Sequence, residues 1–217
     1  MDGLAAVTKE PGNVLEVRGA AKSFGRRTVF RGVSLDLGPG EVVGITGENG
    51  AGKTTLLRII VGLLPPDEGS VAVRGRLGYC PQDMAVFDTL TVRENFAFFA
   101  AAYGLGGSGR GGPWAGEMAR LLAYFHFPQY EAAVVSTLSG GTRQKLNFCL
   151  SALHGPDLLV LDEPYSGFDW ETYLHFWEFA ADFRKRGGSV LVVSHFVYDR
   201  AAFDRVYKLG PGGLSCA

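Results

Sequence analysis

Residues 47–55 read GENGAGKTT, and Gly47 through Thr54 fit the pattern G-x-x-x-x-G-K-[ST]. The stretch before it, EVVGIT (41–46), is apolar and reads as a buried strand. The stretch after it, LLRIIVGLL (56–64), reads as a buried helix. Strand, glycine loop and helix in that order form an α/β unit built around an anion.

Glycine lacks Cβ, so the backbone can close around a phosphate and visit positive φ. Successive N–H groups then point at the anion, and the following helix N-terminus adds partial positive charge. The loop residues Gly47, Glu48, Asn49, Gly50, Ala51, Gly52, Lys53, Thr54 and Thr55 are the expected cradle. Lys53 is expected to reach the β- and γ-phosphates, and Thr54 to place its hydroxyl on Mg²⁺. The plainer alternative is a glycine-rich turn with a chance lysine, which the flanking strand and helix argue against. A phosphate cradle alone is not a function, since kinases, GTPases and motor ATPases all carry one.

The rest of the chain supplies the setting. NVLEVRG alternates, placing Leu15 and Val17 on one face of an outer antiparallel strand. GVSLDLGPGE alternates through Val33, Leu35 and Leu37 before a turn at 38–40, and two short strands follow over 70–82. From Phe87 to His154 the texture is helical, with Thr91 and Glu94 at capping-box spacing. Within that insert GLGGSGRGGPWAG (104–116) reads as a flexible connection. Buried strands return at DLLVLDEP and SVLVVSH with a helix between them, and VYKLG reads as a closing strand. Residues 1–12 read as a flexible N-terminus and 13–217 as one domain, interrupted by the helical insert at 87–154.

Two further motifs carry chemistry. LVLDEP (159–164) ends a strand in Asp162 and Glu163, placing two carboxylates at the C-terminal edge where ligands bind in open α/β sheets. Asp162 suits a Mg²⁺ ion, and Glu163 is placed to polarise an attacking water as general base. LSGGTRQKL (138–146) opens a helix at Ser139, Gly140 and Gly141, a second anion site in one chain.

The combination resembles the ATP-binding-cassette (ABC) ATPases, and the resemblance covers nearly the whole chain. It implies an α/β fold: a P-loop NTPase (RecA-like) core with a flanking antiparallel β subdomain and an inserted α-helical subdomain. By that resemblance Phe24, in AKSFG, stacks on adenine, where the family more often has Tyr. Gln82, in YCPQD, contacts Mg²⁺ and the catalytic water. SGFD (166–169) brings Asp169 to the loop that meets the opposite subunit, with Phe168 where Leu is commoner. His195, in VVSHF, contacts the γ-phosphate. Thr142 stands where Gln is frequent. The remaining histidines, His126, His154 and His175, read as structural.

The resemblance also implies a head-to-tail dimer in which the P-loop of one chain and the signature of the other sandwich ATP. One complete motif set suggests a homodimer, with a pseudo-symmetric heterodimer as the variant. No apolar run is long enough to span a bilayer, so the permease is expected to be a separate polypeptide. The chain itself is expected to be soluble, at the cytoplasmic face of the membrane through that permease. The insert is the expected docking surface, although most of its aromatics (Phe87, Phe96, Phe98, Phe99, Tyr103) read as its own core. Net charge is −1, so nucleic acid is not an expected partner. Cys80, Cys149 and Cys216 show no metal-ligand spacing and read as reduced thiols. No signal peptide is expected at the start, and no regulatory domain after His195. The signature and short C-terminus look exporter-like. The alternative is a soluble cassette ATPase serving a non-membrane assembly such as iron–sulfur cluster biogenesis.

Overall fold

The structure is a computed structural model, and it describes residues 12–106, 112–195, 199–210 and 212–216. The expectation for the N-terminus falls almost wholly outside these residues, as does the centre of the 104–116 connection.

Two sheets organise the chain. A six-stranded sheet has the order β5 (Leu77–Cys80), β6 (Leu158–Asp162), β7 (Ser189–Val193), β3 (Val42–Thr46), β8 (Arg205–Gly210), β9 (Gly213–Cys216). Its first five strands are mutually parallel, and β9 returns antiparallel to β8. A three-stranded antiparallel sheet has the order β2 (Arg27–Leu37), β1 (Leu15–Phe24), β4 (Glu68–Val73).

The parallel strands read as unbroken apolar runs because each feeds two cores. Leu159 and Leu161 of β6 join Val190 and Val192 of β7 in one cluster, under the helical insert. Leu158, Val160, Leu191 and Val193 face the other way. There they meet Leu15, Val17 and Phe30 of the antiparallel sheet and Leu56 and Leu57 of α1 (Lys53–Ile60). A side-chain period of two along a strand buried on both faces gives this pattern.

Between β5 and β6 the described residues form α2 (Val92–Ala102), α3 (Trp114–Tyr124), α4 (Gly140–Ala152) and short turns. The capping box at α2 is complete: Thr91 Oγ accepts from the Glu94 N–H at 3.2 Å, and Glu94 accepts from the Thr91 N–H at 2.7 Å. After β6, α5 (Trp170–Lys185) crosses back to β7.

Three expectations change. The apolar run 56–64 is helical only to Ile60; Gly62 turns at φ 79 and the Leu63 and Leu64 N–H groups donate to the Arg58 carbonyl. Leu63 is then 68% exposed, so this leucine is not core. The 104–116 connection ends earlier than expected, because α3 begins at Trp114, which is buried in the insert core. VYKLG does not close the fold, since β9 pairs beyond it.

Candidate active site

The parallel order puts the C-terminal ends of β6, β7 and β3 side by side, and each delivers part of one site. β3 ends at the glycine loop and α1 begins at Lys53. Gly52 caps that helix in the left-handed region at φ 98, and a Cβ there would meet the Val29 side chain at 2.4 Å. Glycine is thus required both by conformation and by the approach of β2.

Lys53 is buried, and its Nζ donates to the Gly47 carbonyl at 2.7 Å and the Glu48 carbonyl at 3.1 Å. The ammonium is therefore folded back over the loop it serves. Burial lowers its pKa, and the carboxylates of Glu163 and Asp162 oppose the shift.

Asp162 is almost fully buried at the end of β6. Burial raises its pKa, opposed by a hydrogen bond from Thr54 and by the charge of Lys53. Glu163 follows at φ 50, a left-handed conformation unusual for glutamate, which its N–H holds by donating to the Val193 carbonyl at 2.9 Å. Its carboxylate accepts from Ser194 Oγ at 3.3 Å, and Oε1 lies 3.6 Å from His195 Nε2. Burial raises the pKa of Glu163 too, with His195 and Ser194 opposing.

These groups line one cavity of about 430 Å³. Asn49, Gly50, Gly52, Lys53, Thr54 and Thr55 form one wall, Gln82, Asp162, Glu163 and His195 another, and Phe24 the rim. Phe24 is 54% exposed, so a face of its ring is available to a base. Arg27 also lines the cavity, a residue the motifs do not include. It pairs with Phe24 across the β1–β2 turn, and its guanidinium reaches toward Gly50. The sequence signal for it is the doubled arginine one glycine after the aromatic in FGRR.

A cation fits this site. Two buried carboxylates face one ammonium, and Asp162 Oδ2 and Glu163 Oε1 are buried without a hydrogen-bond partner among the described residues. With the Thr54 hydroxyl and the Gln82 amide oxygen they make a hard, all-oxygen donor set, the type that Mg²⁺ takes alongside water and phosphate oxygens.

The signature residues lie elsewhere. Ser139 caps α4, accepting from the Thr142 N–H at 3.2 Å, and is exposed. Gly140 and Gly141 open the helix, and a Cβ on Gly141 would stand 2.8 Å from the Gly167 carbonyl oxygen. None of the three lines the cavity. Asp169 also stays outside it: the side chain caps α5 by accepting from the Thr172 N–H at 2.7 Å, which holds its pKa down. Asp169 lines a neighbouring cleft of about 500 Å³ that shares Glu163 and His195 with the first.

The structural reading of His154 agrees with its surroundings, as Nε2 meets the Leu77 carbonyl at 3.0 Å and the ring stacks on Tyr103. His126 is exposed and His175 half-buried, so neither belongs to the core.

A family model described as ABC transporter matches residues 30–166. The chain is similar to the linearmycin resistance ATP-binding protein LnrL of Bacillus subtilis (strain 168), 32% identical over 85% of this chain and 62% of that protein. It is also similar to the Nod factor export ATP-binding protein I of Paraburkholderia xenovorans (strain LB400), 32% identical over 86% of this chain and 64% of that protein. The chain thus spans less than two thirds of the length of these relatives. Among solved structures it resembles an ATP-binding cassette in a dimeric post-hydrolysis state bound to ADP and Pi, with a TM-score of 0.84 at 21% identity, covering 93% of this chain and 96% of that one. At that identity the likeness establishes the fold. Among the described residues no helix is long and apolar enough to cross a membrane.

Proposed function

The chain belongs to the ABC transporter ATPase family, and from that membership we propose that it hydrolyses Mg²⁺-bound ATP to drive export through a separate integral membrane permease. The observation that carries this reading is the convergence of Lys53, Asp162, Glu163 and His195 on one cavity beneath the glycine loop.

The residues divide the work. Adenine stacks on the exposed ring of Phe24. The loop N–H groups and the α1 N-terminus take the phosphates, and Lys53 exchanges the carbonyls of Gly47 and Glu48 for phosphate oxygens. Thr54, Asp162 and Gln82 would hold Mg²⁺, which would supply positive charge to offset that of the phosphates. Glu163 accepts a proton from water as that water attacks the γ-phosphorus. The bond to the β–γ bridging oxygen breaks, and ADP leaves with that electron pair. Ser194 and His195 hold the Glu163 carboxylate in place. Proton transfer to such a base contributes about 10²–10⁴-fold to rate.

The exposed α4 N-terminus supports a head-to-tail dimer, in which Ser139, Gly140 and Gly141 of one chain close the phosphate site of another. A homodimer satisfies this, as does a heterodimer with a related ATPase.

Two aromatics of the insert support permease docking there. Phe87 is 41% and Phe98 50% exposed, with ring centroids 4.5 Å apart, whereas Phe96 is core. Export is supported by the printed functions of the two relatives, resistance and Nod factor export. These names favour a transporter over a soluble assembly factor.

The test is ATP turnover by purified chain, with Lys53→Ala and Glu163→Gln beside it, followed by affinity capture from detergent-solubilised membranes. Turnover sensitive to both substitutions, and a copurifying integral membrane protein whose capture weakens in Phe98→Ser, support the reading. Turnover indifferent to Lys53 would overturn it, and capture of soluble partners alone would favour the assembly factor.

A further inference from the structure

Away from the cavity, His126, Glu171 and His175 bring three metal-ligating side chains together, and their ligand atoms lie within 4.8 Å of one another. Glu171 and His175 are four residues apart on α5 and so share a face. His126 comes from the far end of α3. That helix closes with the His126 N–H donating to the Ala123 carbonyl and the Phe127 N–H to the Leu122 carbonyl, at 3.2 and 2.9 Å. This is the Schellman arrangement, and His126 occupies its left-handed position at φ 58. Glycine is the usual residue there. Histidine in its place projects an imidazole toward α5.

The geometry suits a first-row cation. His126 Nδ1 lies 3.8 Å from Glu171 Oε1, and the two imidazole centroids are 4.4 Å apart with planes inclined at 62°. Ligand lengths near 2.0–2.2 Å place tetrahedral donor atoms about 3.3–3.5 Å apart, so closure needs small torsional shifts. The His126 and Glu171 side chains, 58% and 77% exposed, are free to make them. No hydrogen bond to another described residue holds either imidazole. Two charged groups adjoin the cluster, Asp169 at the head of α5 and Lys145, whose Nζ is tied to the Phe125 carbonyl at 3.1 Å. Their charges offset, leaving the Glu171 carboxylate to attract the ion.

We propose that His126, Glu171 and His175 form a surface site for Zn²⁺, with water as the fourth ligand. Two imidazoles and one carboxylate suit zinc and disfavour Mg²⁺ and Ca²⁺, which take oxygen donors. The ion would join the insert to the core. α3 leads into His126 within the insert, while α5 contacts β7. The two helices already touch through Tyr124 and Phe179, whose ring centroids are 5.7 Å apart. This inference does not depend on the ATPase reading.

Equilibrium dialysis of the purified chain against Zn²⁺ in excess Mg²⁺ tests it, with thermal melts in parallel. Wild type is expected to bind one equivalent that His175→Gln, Glu171→Gln and His126→Gly each lose or hold at least about 10-fold more weakly. Saturating Zn²⁺ is expected to raise the wild-type melting midpoint by about 5–10 °C and to leave His126→Gly unmoved. His126→Gly is the discriminating variant, since glycine relieves the left-handed backbone while removing the ligand. Its metal-free midpoint is expected at or above that of wild type. No Zn²⁺ bound by wild type would overturn the proposal, as would equal binding by wild type and all three variants.

Discussion

Nζ of Lys53 lies 3.4 Å from Nδ1 of His195, although 142 residues separate them in the chain. His195 Nε2 lies 3.6 Å from Glu163 Oε1 on the other side of the ring. The imidazole therefore stands between the cation expected to grip the γ-phosphate and the carboxylate expected to activate water. That placement follows from sheet order, because β6 and β3 flank β7, whose end carries Ser194 and His195.

Lys53→Ala is expected to abolish ATP turnover and to weaken nucleotide binding. The loop retains its N–H groups but loses the one lysine ammonium that lines the cavity among the described residues. Turnover of purified mutant by phosphate release checks this, and an unchanged rate would remove the phosphate-cradle assignment.

Glu163→Gln is expected to bind ATP and turn it over about 10²–10⁴-fold more slowly. The amide keeps the shape, so an ATP-bound dimer should accumulate and be visible by light scattering. The same substitution has a stability signature. Burial lifts the native Glu163 pKa above the usual carboxylate value. Between those two values the native state holds a proton that the unfolded chain has released. Wild-type stability therefore falls as pH rises through that window, and the charged form weighs against the fold above it. Above the window the glutamine variant should be more stable by about 0.5–2 kcal/mol, with the difference shrinking as the wild-type carboxyl protonates. Thermal melts from about pH 4 to about pH 8 measure the difference across the range where carboxyls titrate.

Phe24→Ala should cost about 1–3 kcal/mol of ATP affinity and leave the chemical step largely intact. Arg27→Ala should cost about 1 kcal/mol or less, and its contribution should fade with added salt, because an exposed guanidinium acts through a screened field. Titration with a fluorescent ATP analogue at low and high ionic strength separates the two. Equal affinity in Phe24→Ala and wild type would leave Phe24 a surface aromatic.

These two residues mark how far the sequence could be read. Runs such as LLVL and VLVV announce strands buried on both faces, because four consecutive apolar residues between turns are too few for a helix and leave neither face of a strand to solvent. The Thr91–Glu94 capping box was equally legible, since both partners lie within one helical turn. What the sequence hid depends on distant approach. Nothing local says that Gly141 abuts the Gly167 carbonyl, or that Arg27 reaches toward Gly50. The end of α1 was hidden because Leu63 and Leu64 extend the apolar pattern after Gly62 has turned the chain. β9 was hidden because GLSC is short and follows glycines, and its pairing with β8 is set by the hairpin. Taken singly in the sequence, His126 and His175 look structural, and only the fold sets them together beside Glu171.

The position of Ser139 yields the sharpest prediction. It caps the exposed N-terminal end of α4, whose body is buried, and does not line the cavity that Lys53 lines. If it serves ATP, it serves the ATP of another copy, so each composite site takes Lys53 from one subunit and Ser139 from the other. Consider a mixture of Lys53→Ala and Ser139→Arg chains, each inactive as a homodimer. Arginine there blocks the γ-phosphate by bulk, and it also removes the acceptor for the Thr142 N–H at a cost of about 0.5–2 kcal/mol, so the variant must first be shown folded by circular dichroism. In the mixed dimer one site carries both lesions and the other carries neither. Recovery of ATP turnover on mixing is therefore expected, up to the activity of one intact site per heterodimer. If Ser139 acted on its own chain's nucleotide, every site in the mixture would carry one lesion and turnover would stay near zero. A covalently tethered dimer with one wild-type half completes the test. Activity there without recovery in verified heterodimers means action within one chain, whereas inactivity in both means that neither site turns over without the other.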